Sequence, residues 1–162
     1  MNFRKKEIKL RDAAGLRNYG LYKLGQQEMS RHALMKKMEL WAQDKADIEP
    51  ILDSFEEAGY INDQRFAEMY VRSCRDGRRY GPIKIRLKLK EKGIAASLIA
   101  EVLNERDEQW YELARRARES KFGDAPEDRE AKAKQTRFLM TRGFNYDHAS
   151  GAFTKSEPDM YE

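Results

Sequence analysis

The chain has 162 residues, of which 37% are charged and 10% aromatic, with a mean hydropathy of −0.92. Apolar side chains are too sparse for one thick core and nowhere form an 18-residue run that could span a bilayer, while the aromatic share excludes a wholly disordered chain. The formal charge is only +4, but it is unevenly spread: residues 39–63 carry eight acids against Lys45, and residues 65–92 carry ten bases against Glu68, Asp76 and Glu91. Such asymmetry suits a polyanion on one part of the surface, although a single charge run is as readily a solvated helix face.

From the start, Met1-Asn2-Phe3-Arg4-Lys5-Lys6 leads into no apolar stretch of a secretory leader. Cys74 stands alone, which excludes an internal disulfide framework and a thiolate metal site. A cytoplasmic chain is expected. Four prolines and ten glycines favour helices over many short strands.

The first helical segments carry Leu34 and Met38 after a start at Ser30, then Ile48, Ile51, Leu52 and Phe55, with Pro50 in a first turn where its missing N–H costs little. Ala42 stands where later segments have glycine, so this middle helix should end differently, between Trp41 and Asp44. Asp63 is the expected N-cap of a helix carrying Phe66, Ala67, Tyr70, Val71 and Cys74, and Asp76-Gly77 its expected end. Ile83, Ile85, Leu87 and Leu89 then alternate with bases, which alone is a strand pattern. A helix is the better reading. Gly81-Pro82 is a natural helix start, Ile85 and Leu89 are also four apart, and Gly93-Ile94 is a stop in which the residue after a left-handed glycine packs back on the last turn. The same stop recurs as Gly59-Tyr60 over Phe55 and Gly143-Phe144 over Leu139. Trp110, Leu113, Ala114 and Ala117 mark a further helix, and Gly123–Glu130 with Pro126 a loop.

The segments repeat at about fifty residues. Leu139, Gly143 and Phe144 match Leu89, Gly93 and Ile94; Ser30, Leu34 and Met38 match Gly81, Ile85 and Leu89; Ile48, Ile51 and Leu52 correspond to Ile99, Val102 and Leu103, then to Ala149, Ala152 and Phe153. The expectation is an all-α fold of three tandem three-helix repeats, 12–59, 60–107 and 108–153, stacked into an elongated curved rod. Residues 1–11 and the tail from Thr154, with Glu157, Pro158 and Asp159, are expected to be flexible.

No catalyst is expected. His32 and His148 are far apart and in no metal-ligand pattern. His148 takes the place of Leu98 in the repeat and reads as structural, whereas His32 reads as solvent-exposed. Asp44, Asp47, Glu49 and Asp53 read as a cap and an exposed helix face rather than a metal-dependent nuclease site. Cys74, beside Tyr70 and Val71, reads as core. What remains is the basic segment. Arg72, Arg75, Arg78 and Arg79 surround a helix end; Lys84, Lys88 and Lys92 share one face of the next helix, and Arg86 and Lys90 another. They should attract phosphates with strong salt dependence. Tyr80 could stack on a base but reads as packing at the turn. Charge alone does not separate DNA from an acidic protein surface.

Gly59-Tyr60-Ile61-Asn62-Asp63-x-Arg65-Phe66-Ala67, Arg78-x-Tyr80-Gly81-Pro82-x-x-Ile85 and Leu89-x-x-Lys92-Gly93-Ile94 resemble the RecX family of recombinase regulators. Trp110-x-x-Leu113-Ala114, Lys121-Phe122-Gly123 and Arg137-Phe138-Leu139-x-x-Arg142-Gly143-Phe144 are similar to its third-repeat signature, and Ser30-Arg31 with Leu34 to its first-repeat helix start. The resemblance runs from Leu16 to Phe153, with Asn62 in place of an acid and Met29 in place of an aromatic. It implies three three-helix repeats, a monomer without cofactor, and binding to the RecA filament on single-stranded DNA. ATP hydrolysis, strand exchange and co-protease activity would be restrained, and free single-stranded DNA bound weakly or through the filament. A helical DNA-binding regulator reading bases with 82–92 is the alternative. Lys and Arg dominate that helix, without Asn or Gln to pair an adenine edge.

Overall fold

A computed structural model describes residues 9–123 and 125–153. They form an all-α fold with no strand among them, in the order α1 (Ala13–Gln26), α2 (Arg31–Glu39), α3 (Ile48–Glu57), α4 (Asp63–Ser73), α5 (Pro82–Glu91), α6 (Ala96–Val102), α7 (Gln109–Phe122), α8 (Arg129–Thr141) and α9 (Tyr146–Gly151). The chain divides into two compact units, one running through Ala67 with Lys92–Ile94 added, the other holding Glu68–Glu91 and everything from Ala95. The expectation for the tail from Thr154 falls outside the described residues.

In the first unit, Asp12 caps α1 by accepting from the N–H of Gly15 at 2.9 Å, and Ser30 caps α2 by accepting from Ala33 N–H at 3.2 Å. Leu16, Leu34, Met38, Leu52 and Phe55, all fully buried, make the centre of one core with Tyr19, Met29, Ile48, Ile51 and Ile61 around them. Gly20 is forced by close approach: a Cβ there would stand 2.8 Å from the Phe55 ring. Residue 11, expected to be flexible, is tied down. Arg11 N–H donates to Trp41 C=O at 2.7 Å, Gln43 N–H to Arg11 C=O at 2.9 Å, and the Arg11 guanidinium lies over the rings of Tyr19 and Trp41. This pairing takes up Trp41–Gln43, so α2, lacking a glycine stop, ends at Glu39, before the Trp41–Asp44 stretch expected to end it.

The glycine stops form as expected. Gly59, Gly93 and Gly143 have φ of +76°, +75° and +98°. At two of them the six-to-one bond is present: Tyr60 N–H donates to Phe55 C=O at 2.8 Å and Phe144 N–H to Leu139 C=O at 3.2 Å. The alternating stretch is helix, with Ile85 and Leu89 fully buried and Leu87 half exposed.

Three further expectations are corrected. Asn62, not Asp63, caps α4: its Oδ1 accepts from Arg65 N–H at 2.9 Å. Asp63, one place further, instead accepts from Arg31 N–H at 2.9 Å and so serves the first turn of α2. Asp76-Gly77 does not end the helix. The chain continues through a π turn, Cys74–Arg78, and stops on Arg79, a left-handed residue with φ 56° and ψ 42°. His32 is half-buried rather than exposed, because a Cβ at Gly93 would meet its Cβ at 2.4 Å. His148 (3% exposed) and Cys74 (1%) are buried, as read.

The second unit is closed by a backbone interlock. Gly81 N–H donates to Arg142 C=O at 2.8 Å and Ile83 N–H to Gly143 C=O at 3.0 Å. Neither glycine can carry a side chain there: a Cβ on Gly81 would fall 2.3 Å from the Gly143 carbonyl carbon, and one on Gly143 2.3 Å from Lys84 Cβ. The start of α5 is thereby fastened to the end of α8. Arg118, buried in α7, ties the last helix by donating to Ala152 C=O at 3.1 Å, with its guanidinium over the Phe153 ring.

Candidate functional site

The nine basic residues of 72–92 do not form one equivalent set. Arg75 lies over the Trp110 ring, 5.1 Å from its centre, and hydrogen-bonds Gln109. Arg86 pairs with Glu105 at 3.2 Å and Lys88 with Glu91 at 3.6 Å. Lys84, half-buried, sits 4.4 Å from the centre of the Tyr80 ring, so Tyr80 packs at the turn between cations. Lys92 belongs with the first unit, where its C=O accepts from Ser30 Oγ at 2.6 Å. Arg72, Arg78, Arg79 and Lys90 are exposed.

Arg78 and Arg79 reach a feature that the basic run alone does not announce. They line an open cleft of about 360 Å³ together with Gly77, Ala117, Ser120, Lys121, Phe138 and Arg142. The π turn carries Arg78 to its rim, and the left-handed Arg79 turns the chain back, at a cost of about 1–2 kcal/mol for a residue other than glycine. The interlock brings Arg142 to the same place, where its Nη1 donates to Arg78 C=O at 3.2 Å. Arg79 Nη1 donates to Arg116 C=O at 3.3 Å. Phe138 makes an apolar wall, with Arg142 Cζ 5.2 Å and Lys121 Nζ 5.9 Å from its ring centre.

Among the described residues, none of the four cations at this cleft is held in an ion pair. The acids on α7 are engaged elsewhere. Glu112 binds Arg115 and Arg116, and the Arg115 hydrogen bond holds its carboxyl below the usual range; Glu119 binds Arg115 and Arg118. Lys121 and Arg142 were missed because they lie 29 and 50 residues beyond Lys92, the end of the basic run. The available signal was Lys121-Phe122-Gly123 and Arg142-Gly143 recurring with aromatics beside them.

Other chemistry-bearing groups are accounted for inside the fold. Burial pushes the Cys74 thiol up, and burial together with Cys74 raises the Tyr70 hydroxyl to about 12. Three of the acids around the start of α3 are a cap and ion-pair partners: Asp44 accepts from Ala46 N–H at 2.9 Å, and Glu49 and Asp53 bind Arg31. Among the described residues no group of three or more His, Cys, Asp or Glu side chains could hold a metal ion, and no helix is long and apolar enough to cross a membrane.

Residues 62–103 match the family model of the second three-helix domain of RecX, and residues 107–153 that of the third. Regulatory protein RecX of Halorhodospira halophila is 34% identical over 89% of each chain. The chain belongs to the RecX family. Regulatory protein RecX of Legionella pneumophila is 37% identical over 80% of this chain and 87% of its own. A crystal structure of regulatory protein RecX superposes with a TM-score of 0.73 at 27% identity, covering 85% of this chain and 70% of that one. RecX from Lactobacillus salivarius gives 0.69 at 26%, covering 86% and 93%. The two RecX models embrace α4–α6 and α7–α9, and the fold is the helical-repeat fold of that family.

Proposed function

We propose that this chain regulates recombination by binding the RecA nucleoprotein filament and restraining its ATP hydrolysis, strand exchange and co-protease activity. It acts as a non-enzymatic, cofactor-free cytoplasmic monomer, damping recombinational repair and the SOS response. Three repeats, 12–59, 60–107 and 108–153, make up the binding body. What carries the reading is near end-to-end similarity to proteins named for regulation. The basic side chains of the second unit that make no ion pair among the described residues support it, since a filament on DNA is a polyanion. Of the basic residues read from the sequence, Arg72, Arg78, Arg79 and Lys90 are the candidates for contact, and Arg75, Arg86 and Lys88 act first inside the fold.

The test is titration of the chain into RecA hydrolysing ATP on single-stranded DNA. Inhibition at amounts below one chain per RecA subunit is expected, and undiminished hydrolysis at equimolar chain would sink the reading. A base-reading role for α5 has less behind it. Its exposed positions are Arg86, Leu87, Lys90 and Glu91, which offer phosphate contacts rather than a pattern for base edges.

A further inference from the structure

We infer that the cleft between the π turn, α7 and α8 is a dedicated subsite for the sugar–phosphate backbone of single-stranded DNA, with Arg78, Arg79, Lys121 and Arg142 as its phosphate ligands and Ser120 as an additional donor. The inference deepens the filament reading only in its choice of single-stranded DNA as the polyanion, and it concerns binding by the chain alone.

Three observations converge on it. The first is chemical. The side chains around the cleft present guanidinium and ammonium donors and one hydroxyl, with no carboxylate or amide. Two backbone carbonyls beside it are already used, Arg78 C=O by Arg142 and Arg116 C=O by Arg79. Such a lining suits a ligand that only accepts. A DNA backbone is that ligand, because its phosphates and sugar oxygens accept and donate nothing. An acidic peptide brings an N–H donor at every residue as well, for which the side chains of the cleft offer only the Ser120 hydroxyl as an acceptor. The guanidinium fork also matches phosphate oxygens in a way an ammonium alone does not.

The second observation is electrostatic. The two acids of α7 are bound to Arg115, Arg116 and Arg118, so neither is paired with the four cleft cations, which stand in a concave setting that concentrates their field. The third is conformational. The helix stops at residues 59, 93 and 143 use glycine for the left-handed turn, and the stop at residue 79 uses arginine, directly after a π turn. Both are departures that persist where a side chain is needed in that place. Size and shape select a single strand. An open cleft of about 360 Å³ falls in the range of small-molecule sites and admits one flexible nucleotide unit, and Phe138 gives it an apolar wall. A duplex backbone is stiff and cannot bend into such a recess.

Binding of the full chain to a fluorescein-labelled oligothymidylate, without recombinase, tests this by anisotropy across a salt series. Lys121→Gln and Arg142→Gln should each weaken binding about tenfold at low salt and flatten the slope of log K against log salt by about 0.7. Arg86→Gln, which removes an equal charge held by Glu105, should do markedly less. Circular dichroism checks that each variant is folded; Lys121 is exposed on α7, so its variant stands even if Arg142→Gln does not fold. Competition separates the sources of negative charge: unlabelled oligothymidylate should displace the probe well below the concentration needed of duplex DNA, inorganic phosphate or oligoglutamate. Slopes unchanged in Lys121→Gln and equal to Arg86→Gln would overturn the subsite, as would oligoglutamate competing as well as DNA. Loss of DNA binding in the cleft variants with no RecA inhibition by the parent chain would keep the subsite and remove the filament reading. Inhibition of RecA with DNA binding untouched by the variants would do the reverse.

Discussion

The acidic run and the basic run are near mirror images in sequence, each with a seven-charge excess, yet the fold treats them oppositely. In the first, Glu49, Asp53 and Glu56 close around one guanidinium, that of Arg31, at 3.2, 2.8 and 2.9 Å. Asp44 caps a turn and Asp63 caps α2. Eighteen or more residues separate Arg31 from each of these three acids, so nothing local foretells the pairing. In the second unit the order reverses. Part of the basic run is neutralised, while Arg78 and Arg79 are joined at one cleft by Lys121 and Arg142 from far along the chain. A run of like charge thus becomes scaffold or site according to what the rest of the chain brings to it.

The largest test of this contrast is to pull the cleft apart through its backbone. Gly143→Ala places a Cβ 2.3 Å from Lys84 Cβ at a φ of +98°. Strain and overpacking together should cost roughly 2–6 kcal/mol in urea unfolding. Gly59→Ala makes a sharp comparison, since a Cβ there meets nothing within 4 Å, and left-handed strain alone should cost about 1–2 kcal/mol. Equal losses in the two variants would mean that the interlock is not what holds α5 against α8.

Next comes Arg31→Ala, which leaves three carboxylates facing one another. With the Arg31 side chain 22% exposed and its partners more so, a network of this kind should contribute about 1 kcal/mol, and less as salt is raised. Stability that does not change, at low salt as well as high, would mean the acidic face is held by solvent alone. The smallest effect concerns pH. Burial holds His148 below its ordinary value of 6.5 against the opposing pull of Asp147 and Glu105. Its ring edge-packs on Tyr111 at 4.9 Å, and among the described residues its Nδ1 has no hydrogen-bond partner. The unfolded chain therefore takes up a proton at about 6.5 that the folded chain resists. The stabilisation is complete above that pH and declines as pH falls through it. His148→Leu should flatten this part of the stability–pH curve, and an identical curve in the variant would assign the decline to other groups.

Where a signal lies within a few residues, the sequence carried it well. The left-handed stops at 59, 93 and 143, the helix start at Gly81-Pro82 and the capping Ser30 are backbone preferences of single residue types, and they stand where expected. Local reading failed by small margins where two neighbours compete for one role. Asn62 and Asp63 are both good caps, and the choice went to Asn62 because Asp63 is drawn to Arg31. Gly77 was the natural end of α4, but the chain runs two residues further, to a residue with a Cβ. No rule of local preference predicts that.

For this protein the sequence by itself determined the helices, their glycine stops, the fifty-residue recurrence and, through its motifs, the family. Those are properties of short segments, set by backbone sterics and apolar spacing. Only the tertiary structure decided which charges are spent inside the fold and which are free. That outcome depends on residues far apart in the chain meeting, as Arg31 and Glu49 do across 18 positions and Arg78 and Arg142 across 64, and on Coulomb interactions that act through space rather than along the chain.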